Sequence, residues 1–137
     1  MTMNQARFGL FGTFLGFFCL QVFAFLEIRQ HMWPQDLQTL LLKLLAVYSV
    51  PLSVILGGIF GQSRKPLTNP SPAVAWTAIV LAVLWNLLLV WRSISFTLAS
   101  VDSVSDLVEY LDAIASAGTF LVAGALAFFF TKSAKAS

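Results

Sequence analysis

The sequence predicts an all-α integral membrane protein, four transmembrane helices packed in one bundle, and three observations carry the prediction. Hydrophobic residues make up 58% of the chain and charged residues 10%, against about 45–50% and about 25% in an average soluble domain. Four apolar runs each approach the roughly 20 residues that cross a bilayer as a helix. The intervening segments are short and rich in proline, polar residues or charge, and strand-type alternation is absent. The 137 residues leave room for a single domain, residues 1–137.

The first span is expected at about residues 8–26. Arg7 precedes it, as in a signal peptide, but Phe23, Phe25, Leu26 and Glu27 offer no small-residue cleavage pattern. It is therefore read as an uncleaved helix. Gly12 and Gly16 form a GxxxG step that lets a neighbouring backbone approach closely. The polar link 27–36 carries Trp33, suited to a headgroup interface. Pro34 then fits the first turn of the next helix, where a missing N–H costs nothing, and Asp36 lies near the positive end of that helix's dipole.

The second span is expected at about 37–60. Ser49, Ser53, Gly57 and Gly61 recur at every fourth position, a regular ridge of small residues, and Pro51 is expected to kink the helix. Three prolines in 61–72 end it, and Ser71 with Pro72 is placed to cap the third helix. That span is expected at about 74–91 between Trp76 and Trp91, with Ala75, Ala78, Ala82 and Asn86 along one face. Residues 92–100 prolong it beyond the membrane. Ser103 and Asp106 have capping-box spacing, so the fourth helix is expected to start near 103 and to cross the membrane over about 113–131. Helices three and four thus project as an outer hairpin.

Orientation follows from the basic residues. With the N-terminus inside, Arg7, Arg64, Lys65, Lys132 and Lys135 lie inside, and Arg29, Lys43 and Arg92 lie outside. Five against three favours both termini in the cytoplasm. The expected location is a plasma membrane of bacterial inner-membrane type, with the lipid bilayer as the first partner.

Asp102, Asp106, Glu109 and Asp112 fall on one side of the fourth helix, opposite Val104, Leu107 and Leu111. Along the apolar run the same side continues as Ala113, Ser116, Ala117, Ala123, Gly124, Ala127 and Thr131, with Phe120 its bulky member. The acids suit either a solvated face or, in a ring of subunits, an outer mouth that concentrates cations, with Phe120 as a gate. The small residues are expected to pack against another helix of the same chain. Among intramembrane polar residues, Lys43 is expected to snorkel or to pair with Glu27. Asn86 and Gln21 are read as interhelical hydrogen-bonding groups, with pore lining as the alternative. Arg92 and Asp112 are placed to clamp the third connection.

A net charge of +2 without a basic cluster gives no footprint for nucleic acid. One cysteine, Cys19, excludes an intramolecular disulfide and a multi-Cys metal site, and one histidine, His31, cannot ligate haem from two sides. No nucleophile–base pair or phosphate-binding glycine loop is present, so neither enzyme nor cofactor is expected. Four crossings in so short a chain resemble the small multidrug-resistance exporters, which carry a glutamate within the first helix. Here Glu27 stands at the outer end of that helix, so proton-coupled export is not carried over. Two functions are expected: a homo-oligomeric ion channel or pore-forming effector, or a non-catalytic accessory subunit of a larger membrane complex.

Overall fold

A computed structural model describes residues 2–60, 71–99 and 103–130. The described chain is helical: α1 (Met3–Glu27), a short 3-10 turn (Arg29–His31), α2 (Pro34–Phe60), α3 (Pro72–Ala99) and α4 (Val104–Phe130). Three segments, Met3–Glu27, Pro34–Ile59 and Pro72–Leu98, are long and apolar enough to cross a membrane. A fourth qualifies if Val104–Gly118 and Val122–Phe129, set at 54° to each other, count as one span.

Local chemistry fixes the helix ends. Thr2 and Gln5 form a capping box at α1: the Gln5 backbone N–H donates to the Thr2 hydroxyl at 3.2 Å, and the Thr2 N–H donates to Gln5 Oε1 at 2.8 Å. Pro34 and Pro72 each occupy the first position of their helices, where proline's fixed φ suits the helix. The Ser71 hydroxyl accepts from the Val74 N–H at 3.3 Å. At α4 the Asp106 N–H donates to Ser103 Oγ, and the Ser103 N–H donates to Asp106 Oδ2, both at 3.2 Å, the reciprocal pair that the spacing predicted. α2 continues as helix through Pro51, and in α4 the segments Val104–Gly118 and Val122–Phe129 stand at 54° to each other.

α1 packs against α2 and α3, and α4 packs against the same two helices from the other side. Phe14, Tyr48 and Trp85 fill the centre, their rings 5.5–6.5 Å apart, within the range of favourable edge and tilted contacts. Ala75, Ala78 and Ala82 are buried together on α3, as their spacing implied. Bulky apolar side chains also cover the outside: Phe8, Phe23, Leu42, Leu45, Val80 and Leu84 are each about half or more exposed. Hydroxyls among them turn back on their own helices. Ser49 donates to the Ala46 carbonyl at 2.7 Å, Ser53 to Val50 at 2.9 Å and Thr13 to Gly9 at 2.8 Å. An apolar exterior whose hydroxyls are satisfied internally is what a hydrocarbon solvent demands.

Candidate functional site

The strongest polar construction lies at the centre of the described helices. Gln21 on α1, Tyr48 on α2, and Asn86 and Ser93 on α3 are all buried. Gln21 Nε2 donates to the Tyr48 hydroxyl at 2.7 Å, and that hydroxyl donates to Asn86 Oδ1 at 2.7 Å. Asn86 Nδ2 donates to the Ala82 carbonyl at 2.8 Å. The Ser93 hydroxyl lies 2.9 Å from Gln21 Oε1 and 3.0 Å from the Leu89 carbonyl, one proton facing two acceptors. The chain of bonds ties three helices in one register. Asn86 and Gln21 therefore hydrogen-bond to other helices or to their own within the chain. Tyr48 and Ser93 were not singled out from the sequence; hydroxyls among leucines and valines gave the only signal.

A second construction closes the opposite end. Arg7 is buried, and its Nε donates to the Phe129 carbonyl in the last turn of α4 at 2.7 Å, where backbone acceptors lack intrahelical partners. From the sequence this arginine was counted only for topology. Nearer the middle, the indole of Trp85 lies flat against Gly118: a Cβ there would fall 1.7 Å from its Cδ1 and Nε1. The Trp85 N–H donates to the Ile114 carbonyl at 3.3 Å. Only glycine permits this approach of α3 to α4.

The charged residues pair differently from expectation. Lys43 forms its ion pair with Asp112, not with Glu27, and Asp112 is thereby engaged by Lys43 where Arg92 was expected. Geometry explains the exchange. Lys43 lies nine residues into α2, about 13 Å below its start at 1.5 Å per residue. Asp112 lies eight residues into α4, the helix packed alongside, so the two side chains meet at one level; Glu27 ends α1. The Arg92 guanidinium stands over the Tyr110 ring, 5.5 Å from its centroid.

Asp106, Glu109 and Asp112 are exposed on α4. The Ser103 hydroxyl, 2.7 Å from Asp106 Oδ2, together with the Ser103 N–H, holds the Asp106 carboxyl below the ordinary carboxylate range. Asp102, Gly61, Thr131 and the side chain of Phe120 lie outside the described residues. Among the described residues the small ridge of α4 is not buried against another helix, correcting the sequence expectation: Ala113, Ser116, Ala117, Ala123, Gly124 and Ala127 are all exposed. Leu107, Leu111, Val122, Leu126 and Phe129 take the inward face, where larger side chains gain more contacts. The ridges of α1 (Gly12, Gly16) and α2 (Ser49, Ser53, Gly57) also face outward. A Cβ at Gly12, Gly16, Gly57 or Gly124 would meet nothing within 4 Å. His31 and Cys19 are exposed. No group of three or more potential metal-ligating side chains occurs among the described residues.

Comparison with protein-family models, curated proteins and solved structures gives no match. The functional reading rests on these side chains alone.

Proposed function

We propose that this chain is a four-span membrane protein, both termini cytoplasmic, whose copies assemble through small-residue faces into an oligomeric cation channel. The observation that carries the reading is the exposed face of α4. There the exposed carboxylates of Asp106 and Glu109 run into Ala113, Ser116, Ala117, Ala123 and Gly124, which are also exposed among the described residues. Small residues let helices of different chains approach closely within lipid. The centre of each protomer is filled by the Phe14–Tyr48–Trp85 cluster, so the path lies between protomers.

In this arrangement α4 lines the axis. Asp106 and Glu109 attract cations at the outer mouth. Asp112 serves the α2–α4 clasp with Lys43. Five basic residues on the terminal side and three on the other support the orientation, in a membrane of the bacterial inner type.

The Lys43–Asp112 pair favours a second reading as well. By neutralising one carboxylate of the stripe it weakens the mouth, and the same exposed face then serves to dock another subunit, making the chain a non-catalytic accessory of a larger complex. Ion flux into liposomes containing the purified chain separates the two. Cation flux whose selectivity falls in D106N/E109Q supports the channel. A stable homo-oligomer without flux ends that reading, and a copurifying subunit lost in D106N/E109Q supports the second.

A further inference from the structure

We propose that a cavity at the end of the bundle where α1 meets α2 binds a primary ammonium group carried on an apolar chain. The cavity measures about 540 Å³, inside the range of about 300–1,000 Å³ that holds small molecules. It lies between the link that joins α1 to α2 and the facing ends of α3 and α4. Ile28, Met32, Phe96 and Val104 give it an apolar side. Phe96 is buried and the other three pack against the core, so the fold fixes that side.

The polar side is rich in acceptors. It is built from His31, Trp33 and Asp36 of the link and from Thr97 and Ser103 opposite. The Thr97 hydroxyl donates to the Ile94 carbonyl and the Ser103 hydroxyl to Asp106 Oδ2, each at 2.7 Å. Neither hydroxyl has a second proton to give. The link's own backbone donors are also engaged: the His31 N–H donates to the Ile28 carbonyl at 2.9 Å, and the Asp36 N–H to the Trp33 carbonyl at 3.0 Å. The side chains of His31, Trp33 and Asp36 make no hydrogen bond or ion pair among the described residues. A carboxylate only accepts, a neutral imidazole accepts at one nitrogen, and an aromatic face attracts a cation. The guest that suits them brings donors and positive charge. A primary ammonium has three N–H donors, whereas a trimethylated one has none, and an anion would be repelled by Asp36. The apolar side takes the chain that carries the ammonium. Arg29, Gln30 and Gln35 of the link are exposed, so this end of the bundle suits water or headgroups, not acyl chains. None of the lining residues belongs to the small-residue faces that join copies in the proposed oligomer, so the site stands whether or not the oligomer conducts.

The test titrates the full chain in dodecyl maltoside micelles with hexylammonium and, separately, with hexyltrimethylammonium. His31 is the chain's one histidine, so its ring signals in NMR identify themselves, and the Trp33 indole N–H reports beside it. Saturable shifts of both are expected with hexylammonium, while Trp76 and Trp91, exposed elsewhere on α3, stay unmoved. Asp36→Asn should weaken binding by about tenfold, the usual worth of a hydrogen bond to a charged group, and Trp33→Leu by about threefold. Trp33 is 77% exposed, so its replacement spares the fold and guards against misfolding of the other variant. Asp112→Asn removes the same charge about 13 Å farther along α4 than Ser103 and should leave binding unchanged. A second arm places the chain in phosphatidylcholine nanodiscs with and without phosphatidylethanolamine. The same shifts on adding that lipid assign the ammonium to a headgroup, and shifts with hexylammonium alone assign it to a soluble amine; both uphold the site. Absence of saturable shifts in both arms, equal binding of hexyltrimethylammonium, or affinity unchanged in both Asp36→Asn and Trp33→Leu overturns the proposal. Shifts that also move Trp76 and Trp91 report partition into the micelle and overturn it too.

Discussion

Replacing Tyr48 by Phe removes one oxygen atom from the centre of the molecule and tests whether the polar chain there holds three helices together. That oxygen accepts from Gln21 Nε2 and donates to Asn86 Oδ1, each at 2.7 Å, so two bonds between helices disappear while the ring is kept. Interhelical hydrogen bonds in membranes average about 0.6 kcal/mol and reach about 1.7. Two of them put the loss at about 1–3 kcal/mol, because Gln21 and Asn86 are buried and neither gains water. Reversible unfolding in mixed detergent and dodecyl sulfate micelles, followed by circular dichroism, measures it. The double variant with Asn86→Ala should show a coupling of about 0.5 kcal/mol or more, as for other directly bonded residues. Tyr48→Leu should cost more than Tyr48→Phe, since it also removes ring contacts with Phe14, Phe18 and Trp85. If Tyr48→Phe unfolds within about 0.3 kcal/mol of the parent and adds independently to Asn86→Ala, the network does not hold the helices together.

Gly118→Ala forces a methyl group into the Trp85 indole and should destabilise by about 1–3 kcal/mol, the usual cost of overpacking; Trp85→Leu in the same chain should recover part of it. Gly12→Ala, Gly16→Ala and Gly124→Ala meet open space, so unfolding of the isolated protomer should change by less than about 0.5 kcal/mol, whereas chemical crosslinking between copies should fall. Lys43→Gln breaks a partly exposed ion pair, with side chains 26% and 53% exposed, and should cost no more than about 1 kcal/mol, with the difference shrinking at high salt. Ser103→Ala removes the hydroxyl that holds the Asp106 carboxyl low, so its titration by NMR should move up toward the ordinary carboxylate range. Because the folded-state value is depressed, the stability it contributes is present above the unfolded-state value and is lost as pH falls through the folded one.

Helix boundaries were legible in the sequence because their signals are local. Pro34, the Ser71–Pro72 pair and the Ser103–Asp106 box each act within a turn, and each stands at a helix start in the structure. The alanine face of α3 was legible for the same reason, since spacing alone places Ala75, Ala78 and Ala82 together. Partners were not. Periodicity tells which side of a helix a residue occupies but not which neighbour stands opposite, so Lys43 was offered Glu27 and found Asp112.

The small ridge of α4 shows a deeper limit. In water the apolar face turns inward, but in lipid both faces are acceptable to the surroundings, and a wheel cannot say whether the alanines or the leucines face the core. Packing volume decided for Leu107, Leu111 and Leu126. The contacts of Arg7, Tyr48, Ser93 and Trp85 were not legible because a single polar or aromatic residue in an apolar run carries no period. Their roles come from contacts between residues far apart in the chain, such as Ser93 with Gln21 and Arg7 with Phe129.

The mass of the detergent-solubilised particle, from light scattering corrected for bound detergent, tests most directly whether the outward small-residue faces join copies of this chain. The account predicts a whole multiple of 15.0 kDa greater than one, dropping toward a single protomer when Gly12, Gly16 and Gly124 are replaced by bulky residues. A particle of 15.0 kDa, or one whose mass includes a different polypeptide, contradicts it.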